Sequence, residues 1–236
     1  MKNKTTKALV AAIALSVSLL SATTANASLI NNGSTIYDTD LNINWLANAN
    51  LADTQAFGVS GINTNGGMTW NTAKLWIAAM NTANYLGYND WRLPTVTDTG
   101  TSGCNFAYSG TDCGFNVNTA TGEMAHLYFD ELGNKAYFNT LGSGPQSGWG
   151  LTNTGPFSNF QSDTYWSGTE YAPNTSKAWY LDTSYGEQYM DNKGFNFYAM
   201  AVRPGQVAAA PVSVPEPVTL ALFGMGLAGL GWARRR

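Results

Sequence analysis

The spacing of apolar residues predicts two helices ahead of a series of strands. After Thr69, apolar side chains recur at three- and four-residue steps, as they do on one side of a helix: Trp70, Ala73, Trp76, Ile77, Met80 and Ala83. Thr69 is a suitable N-cap for this helix and Gly87 a suitable end. A second helix is predicted from Glu123 to Leu132. Its apolar side carries Met124, Leu127, Tyr128 and Leu132.

After Asp163 the apolar period changes to two residues, which predicts β-strands. The predicted strands are 165–169, 178–182, 187–190 and 195–203, with turns at 185–186 and 192–194. An alternating stretch at 36–45 predicts a strand pair, or a strand and turn, with its aromatic side inward. Helices early and an antiparallel meander late indicate an α+β domain rather than alternating βαβ units.

Both ends of the chain carry targeting patterns. Three lysines, an apolar stretch and a small-residue cleavage site at Ala27 have the layout of a secretory signal peptide over 1–27. At the other end, Pro215, Glu216 and Pro217 precede an apolar run of 16 residues and three arginines. This run is shorter than the roughly 20 residues of a typical transmembrane helix. The expected organisation is therefore a folded domain at 28–205, a linker at 206–214 and a C-terminal signal at 215–236.

The C-terminal string resembles the PEP-CTERM sorting signal. The resemblance implies an exosortase that processes the chain at the Pro-Glu-Pro motif, with a short transmembrane segment that holds the precursor in the inner membrane. It also implies a Gram-negative bacterium that makes exopolysaccharide. The processed protein would then reside in the cell envelope, on the outer surface or in the extracellular matrix. A plain C-terminal anchor is the alternative.

The charge of the domain argues against one class of partner. Between residues 28 and 205 there are six Lys and Arg residues and fourteen Asp and Glu residues, a net charge of −8. Such a surface repels nucleic acids and other polyanions unless a basic patch or a bridging cation intervenes, and the sequence has no basic cluster. Nucleic acid is therefore not an expected partner.

The two cysteines lie in one short segment. In an oxidising compartment, Cys104 and Cys113 predict a local disulfide, which would stabilise the fold by roughly 2–3 kcal/mol. A metal site built on these thiols is the alternative, but no histidine lies near them in sequence.

Several sequence blocks in fixed order carry a second resemblance. The blocks GYNDWRLPT, EMAHLYFDELGN, YWSGTE, AWYLD and AMAVRPG, within about 38–203, resemble the Lcl C-terminal-like domain family. The family's fold is similar to C-type lectins and to the formylglycine-generating enzyme. The resemblance therefore implies a C-type-lectin-like domain, with two helices against a twisted antiparallel sheet and long loops. Segment 96–122, which contains both cysteines, is an insertion that either forms a loop on the functional face or decorates an edge.

One polar stretch has the spacing of cation ligands. Asp38, Asp40 and Asn42 follow the rhythm of the first half of an EF-hand loop, but Ile43 and Ala49 occupy the positions where glycine and glutamate are required. A solvated strand face is the preferred interpretation. Calcium is thus a weak candidate, and no other cofactor is expected.

The single histidine limits enzymatic functions. Glu123, His126 and Asp130 share the polar face of the second predicted helix and could hold a metal, although a solvated helix face is preferred. Adjacent carboxylates at Asp130 and Glu131 would point to different sides of a helix and do not suggest glycoside hydrolysis. No serine has the sequence context of a nucleophile elbow. The domain is therefore expected not to be an enzyme.

A binding function needs only exposed aromatic rings and short polar side chains. Loop 141–161 and the Cys104–Cys113 loop are predicted to frame a ligand surface, because long loops on a rigid scaffold concentrate binding residues. The predicted ligand residues are Asp112, Trp149, Phe157, Trp166 and Tyr171. The expected function is non-catalytic binding of exopolysaccharide or another surface glycan. The alternatives are a self-associating structural protein of the surface or biofilm and a metal-dependent enzyme that uses His126.

Overall fold

The computed structural model describes residues 29–98 and 108–205, which form two helical elements and two antiparallel sheets. The predicted signal peptide, linker, transmembrane segment and sorting signal, and also Cys104, lie outside these residues. In the described ranges, no helix has the length and apolar character needed to cross a membrane. The α+β class predicted from the sequence is confirmed.

The first sheet joins the two ends of the domain. Its strands are β1 (Leu29–Asn31), β2 (Thr35–Asp38), β3 (Ile43–Leu46) and β8 (Val202–Pro204), in the order β1-β2-β3-β8. The alternating stretch at 36–45 is thus a hairpin, with β2 paired to β3. Its polar residues do not form one solvated face, because Asp38 is fully buried and Asn44 is nearly so, whereas Asp40 and Asn42 are exposed.

The second sheet contains three strands of the predicted late meander and one short strand from segment 96–122. Its strands are β4 (Gly114–Phe115), β5 (Thr164–Glu170), β6 (Lys177–Asp182) and β7 (Glu187–Asn192), in the order β4-β7-β6-β5. The prediction of a strand over 195–203 is wrong for most of its length. Tyr198 instead forms backbone hydrogen bonds with β5, and the chain then crosses to the first sheet as β8.

The first helix begins where the sequence predicts it. Helix α1 (Trp70–Thr82) follows Thr69, whose side-chain oxygen accepts a hydrogen bond from the Thr72 backbone N–H at 3.3 Å. It ends before the predicted stop at Gly87, because Asn84 adopts a left-handed conformation with φ of 49°. Asparagine tolerates this conformation, which terminates helices.

The second helix changes its winding after one turn. Helix α2 (Glu123–His126) continues as a π-helical turn at Leu127–Glu131, closed by a hydrogen bond from the Leu132 N–H to the Leu127 carbonyl at 3.0 Å. The predicted apolar side is buried as expected. The extra residue in a π turn brings side chains five positions apart onto one side. The polar face therefore differs from the one expected for a regular helix.

An ion pair links the WRLP block (residues 91–94) to α2. The Arg92 guanidinium donates to both carboxylate oxygens of Glu123, each at 2.6 Å, and the Thr95 N–H donates to the same carboxylate at 2.7 Å. Trp91 and Leu93 are buried on either side of Arg92. This arrangement explains the block structurally, since a bidentate Arg–carboxylate pair fixes orientation as well as distance.

Four fully buried tryptophans contribute to the core, and the indole N–H of each is paired. Each fully buried indole N–H donates a hydrogen bond, as buried indoles generally do. The donor and acceptor pairs are Trp45 to Asp38 Oδ2, Trp76 to the Gln55 carbonyl, Trp166 to the Met68 carbonyl and Trp179 to Asp98 Oδ2. The core thus has aromatic mass and specific orientation together.

Candidate functional site

Three aromatic rings meet at the surface beside the turn between β6 and β7. Trp149 lies 4.8 Å from Tyr137 and 5.4 Å from Tyr185, measured between ring centroids, and Tyr137 lies 5.6 Å from Tyr185. Tyr185 is 46% exposed, whereas Tyr137 and Trp149 are half-buried. We call these three residues the Trp149 surface.

Backbone hydrogen bonds hold the loop of Trp149 against the β6–β7 turn. The Tyr137 N–H donates to the Tyr185 carbonyl at 2.7 Å, and the Gly150 N–H donates to the Lys135 carbonyl at 2.9 Å. The turn itself needs glycine at Gly186, where φ is +67° and a Cβ would lie 2.7 Å from the Ala136 backbone. The rings are therefore positioned by ordered backbone.

A second group of rings extends this surface towards β4. Phe138 lies 5.0 Å from Phe115 and 5.3 Å from Tyr108, which is 37% exposed. Asn116 ties the two segments together, because its side-chain N–H groups donate to the carbonyls of Tyr108 and Phe138. Tyr108, in the Cys104–Cys113 loop, also lies close to Gly142, where an added Cβ would be 2.6 Å from its ring. The two loops predicted to frame a ligand surface are therefore in contact. Next to them, the side chain of Leu141 is 87% exposed.

Polar groups border the Trp149 surface. Gln146 donates to the carbonyls of Ala136 and Phe138, and Ser184 donates from both its N–H and its hydroxyl to Asp182 Oδ1. Glu187 lies opposite Asp182 across the β6–β7 pair. Burial, and secondly the charge of Asp182, raise the pKa of the Glu187 carboxyl. The border is therefore acidic, with amide and hydroxyl groups interleaved.

The predicted ligand residues do not all lie on this surface. Trp166, Phe157 and Tyr171 are buried, at 0%, 6% and 7% exposure, so they are packing residues and not ligand residues. Phe157 packs on Phe160, and Tyr171 packs on Trp179. The alternation of apolar and polar residues along the chain could not distinguish buried rings from exposed ones, since most rings fill the core.

Asp112 and the cysteines have different positions. Asp112 is half-buried next to β4, where its carbonyl accepts a hydrogen bond from the Gln188 side chain at 2.7 Å. Cys113 is buried near Tyr171, Trp179 and Met190. Because Cys104 lies outside the described residues, the disulfide stays a prediction.

A second group of side chains that could bind a ligand lies inside the fold, where α2 meets β2. His126 Nδ1 is 3.1 Å from Asp130 Oδ2, and His126 Nε2 is 3.2 Å from Glu131 Oε1. One ligand atom each from Asp38, His126 and Glu131 lie within 4.8 Å of one another. We call these residues, with Asp130, the acid–histidine cluster.

Glu131 is the most constrained member of the cluster. Its side chain is only 1% exposed, and Oε2 has no hydrogen-bond partner among the described residues. Burial raises the pKa of this carboxyl, the charges of Asp38 and Asp40 raise it further, and contact with His126 opposes the rise. An unpaired buried carboxylate oxygen is costly, and such atoms in folded proteins require an explanation.

The cluster differs from the ligand sets predicted from the sequence. Glu123 pairs with Arg92, Asp130 faces the imidazole as the helical spacing predicts, and Glu131 faces it because of the π turn. In the β2–β3 hairpin, Asp38 accepts from the N–H groups of Asp40 and Leu41, which turns its carboxylate inward. Asn42 Oδ1 accepts instead from the Tyr37 hydroxyl. The EF-hand-like loop is therefore a hairpin turn capped by Asp38.

Comparison with known families agrees with the sequence blocks. Residues 34–203 match the model of the Lcl C-terminal domain, and residues 213–236 match that of the PEP-CTERM protein-sorting motif. No curated protein and no solved structure matches the chain. The sorting motif marks an exported, surface-sorted protein that an exosortase processes at the membrane. The chain therefore belongs to the Lcl C-terminal domain family and carries a PEP-CTERM protein-sorting motif.

Proposed function

We propose that this protein is a non-catalytic component of a Gram-negative cell surface or extracellular matrix that binds a glycan on the Trp149 surface. The observation that carries the proposal is the grouping of Tyr137, Trp149 and Tyr185, which stay partly exposed although the core of the domain is well filled. Exposed aromatic groups with a polar border are typical of interaction sites. The C-type-lectin-like relationship of the fold is part of this proposal.

The chemistry of the surface suits a sugar. Aromatic faces pack against the C–H faces of pyranose rings, while amide, hydroxyl and carboxylate groups bond the hydroxyls at the ring edge. Both kinds of group lie together here, since Gln146, Ser184 and Asp182 border the rings. Binding sites for small ligands generally combine apolar walls with a few polar groups in this way.

The charge of the domain selects among glycans. With six basic and fourteen acidic residues between 28 and 205, the domain repels sulfated and carboxylated polymers. The acidic border, with Asp182 and Glu187, has the same effect locally. The preferred ligand class is therefore a neutral polysaccharide, and exopolysaccharide of the producing cell is the first candidate.

Substitution of the exposed rings tests the proposal. We expect Trp149→Ala and Tyr185→Ala each to weaken binding of the exported protein to neutral exopolysaccharide at least tenfold, measured by calorimetry or affinity electrophoresis. The matched control is Phe195→Ala, because Phe195 is an exposed ring at 51% that lies in the β7–β8 connection and not on the Trp149 surface.

The result that would overturn the proposal is equal binding by all three variants, or saturable binding lost equally in all of them. Repeating the binding measurement with calcium and with chelator tests the prediction that calcium is a cofactor. A self-associating structural protein would instead show no saturable glycan binding. Its oligomeric state would then depend on Trp149.

A further inference from the structure

We infer that the acid–histidine cluster is a binding site for one divalent first-row transition metal ion, of the zinc class, held by Asp38, His126 and Glu131. This site is separate from the Trp149 surface, and its role is to join the end of β2 to the π turn after α2. Three observations support it, namely the orientation of the imidazole, the unpaired oxygen of Glu131 and the separations of the ligand atoms.

The imidazole of His126 has carboxylates on both sides. Nδ1 faces Asp130 at 3.1 Å and Nε2 faces Glu131 at 3.2 Å. A neutral imidazole has one N–H, and when Nδ1–H donates to Asp130 the lone pair of Nε2 points at a carboxylate oxygen. That contact is favourable only when a proton or a metal ion bridges the two atoms, and a metal ion bound by both would fill this role. The pattern of carboxylate, histidine and metal is also how proteins orient histidine ligands.

The two carboxylates supply the remaining ligands. Glu131 Oε2 is buried without a partner among the described residues, so a lone pair is available for an ion. Asp38 is fully buried, and N–H groups of Asp40, Leu41 and Trp45 fix its carboxylate in place. Ligands that are already ordered lose little entropy on binding, so the entropic cost is small even though Asp38 still has to shift towards the ion.

The separations fit an ion of this class. Two ligand atoms on a tetrahedral zinc ion lie about 3.3 Å apart, given bonds of roughly 2.0–2.1 Å. His126 Nε2 and Glu131 Oε1 are 3.2 Å apart, and the complete set spans at most 4.8 Å. A movement of Asp38 by less than about 2 Å therefore completes a three-ligand set. A nitrogen ligand favours zinc-like ions, whereas calcium and magnesium prefer oxygen.

Metal titration tests the inference directly. The full-length chain, purified in mild detergent without a histidine tag and stripped with chelator, is titrated with Zn²⁺ under non-reducing conditions. We expect one zinc per chain and a rise in the thermal midpoint of about 5–10 °C at a hundredfold excess over the dissociation constant. Ca²⁺ and Mg²⁺ should give no rise.

Two substitutions assign the site, and a third tests the positioning role of Asp130. His126→Gln and Glu131→Gln should each weaken zinc binding more than about 100-fold, while Asp130→Asn should weaken it about 10–100-fold. Glu131→Gln should retain its cooperative unfolding transition without metal, because it removes an unpaired buried carboxylate. The matched control is Asp53→Asn, an exposed carboxylate outside the cluster, which should leave zinc affinity unchanged.

One measurement needs no variant. His126 is the single histidine of the chain, so its imidazole ¹⁵N signals are assigned without ambiguity. Zinc should shift the Nε2 signal and leave Nδ1 protonated. Absence of stoichiometric zinc binding by the folded wild-type chain, zinc binding that survives both His126→Gln and Glu131→Gln, or unchanged imidazole signals at saturation would each overturn the inference.

Discussion

Glu131 and Glu187 place carboxyl groups where the fold disfavours their charge. Burial is the largest cause of the raised pKa in both residues, and a neighbouring aspartate is the second. The neighbours are Asp38 for Glu131 and Asp182 for Glu187. A raised pKa in the folded state means that the native protein holds the proton more tightly than the unfolded chain.

This difference makes stability depend on pH with a definite sign. The favourable contribution of protonated Glu187 is complete below its ordinary pKa of 4.5 and is lost as pH rises through the raised value. We expect Glu187→Gln to have a larger free energy of unfolding than wild type at pH 7, measured by urea denaturation. The advantage should shrink towards pH 4.

The control for this prediction is Asp53→Asn, which changes an exposed carboxylate on another element. It should give nearly the same difference from wild type at both pH values. A Glu187→Gln variant that is less stable than wild type at pH 7, or whose advantage grows as pH falls, would contradict the assignment.

Residue types alone could predict only part of this picture. The abundance of Trp and Tyr indicates that rings are available, but burial of Trp166, Phe157 and Tyr171 depends on contacts between distant elements. Trp149 was predicted from its loop and is partly exposed, whereas Tyr185 appeared as a turn residue and not as a site residue. Tyr185 is exposed because it lies in the β6–β7 turn, and the sequence does predict a turn at this position.

At the scale of elements, the WRLP block and α2 depend on each other through Arg92 and Glu123. The Glu123 side chain is 16% exposed and takes part in three hydrogen bonds, two from Arg92 and one from the Thr95 backbone. Charge-assisted bidentate pairs are stronger than neutral hydrogen bonds, and partial burial reduces screening. The pair therefore fixes where the second helix starts.

Removal of one charge tests this link. Glu123→Gln should lower the free energy of unfolding by about 1–3 kcal/mol, because the Arg92 guanidinium loses its bidentate acceptor. A double-mutant cycle with Arg92→Gln measures the coupling. The comparison pair is Lys193 and Glu170, with Glu170 at 43% exposure, where Glu170→Gln should cost under about 1 kcal/mol. Equal costs at the two sites would contradict a special role for the Arg92 pair.

Secondary-structure elements were predictable where a local sequence signal determines them. The start of α1 was predicted because Thr69 combines a capping side chain with the apolar period that follows it. The π turn was not, since its extra residue comes from packing of the segment and not from a local signal. This one irregularity brings Glu131 beside His126, while the ion pair with Arg92 draws Glu123 away, and the two together change the composition of the cluster.

In the molecule as a whole, sorting and the proposed glycan binding lie in different parts of the chain. The PEP-CTERM motif at 213–236 marks the protein for exosortase processing, whereas the proposed glycan surface lies in the domain matched at 34–203. The Trp149 surface brings Tyr137 and Trp149 together with Tyr185, which is distant from them in sequence, and Phe138 extends it towards Tyr108. Their meeting point could be proposed from loop lengths but not located, because it depends on the order of strands in the second sheet.

NMR mapping of the exported protein with oligosaccharides from neutral exopolysaccharide shows whether the Trp149 surface binds a glycan. We predict that the largest shift changes fall on Tyr137, the Trp149 indole, Gln146 and the turn at Tyr185. Phe195 and its neighbours should remain unchanged. Changes centred on Phe195, or no saturable change at any residue, would contradict glycan binding at the Trp149 surface.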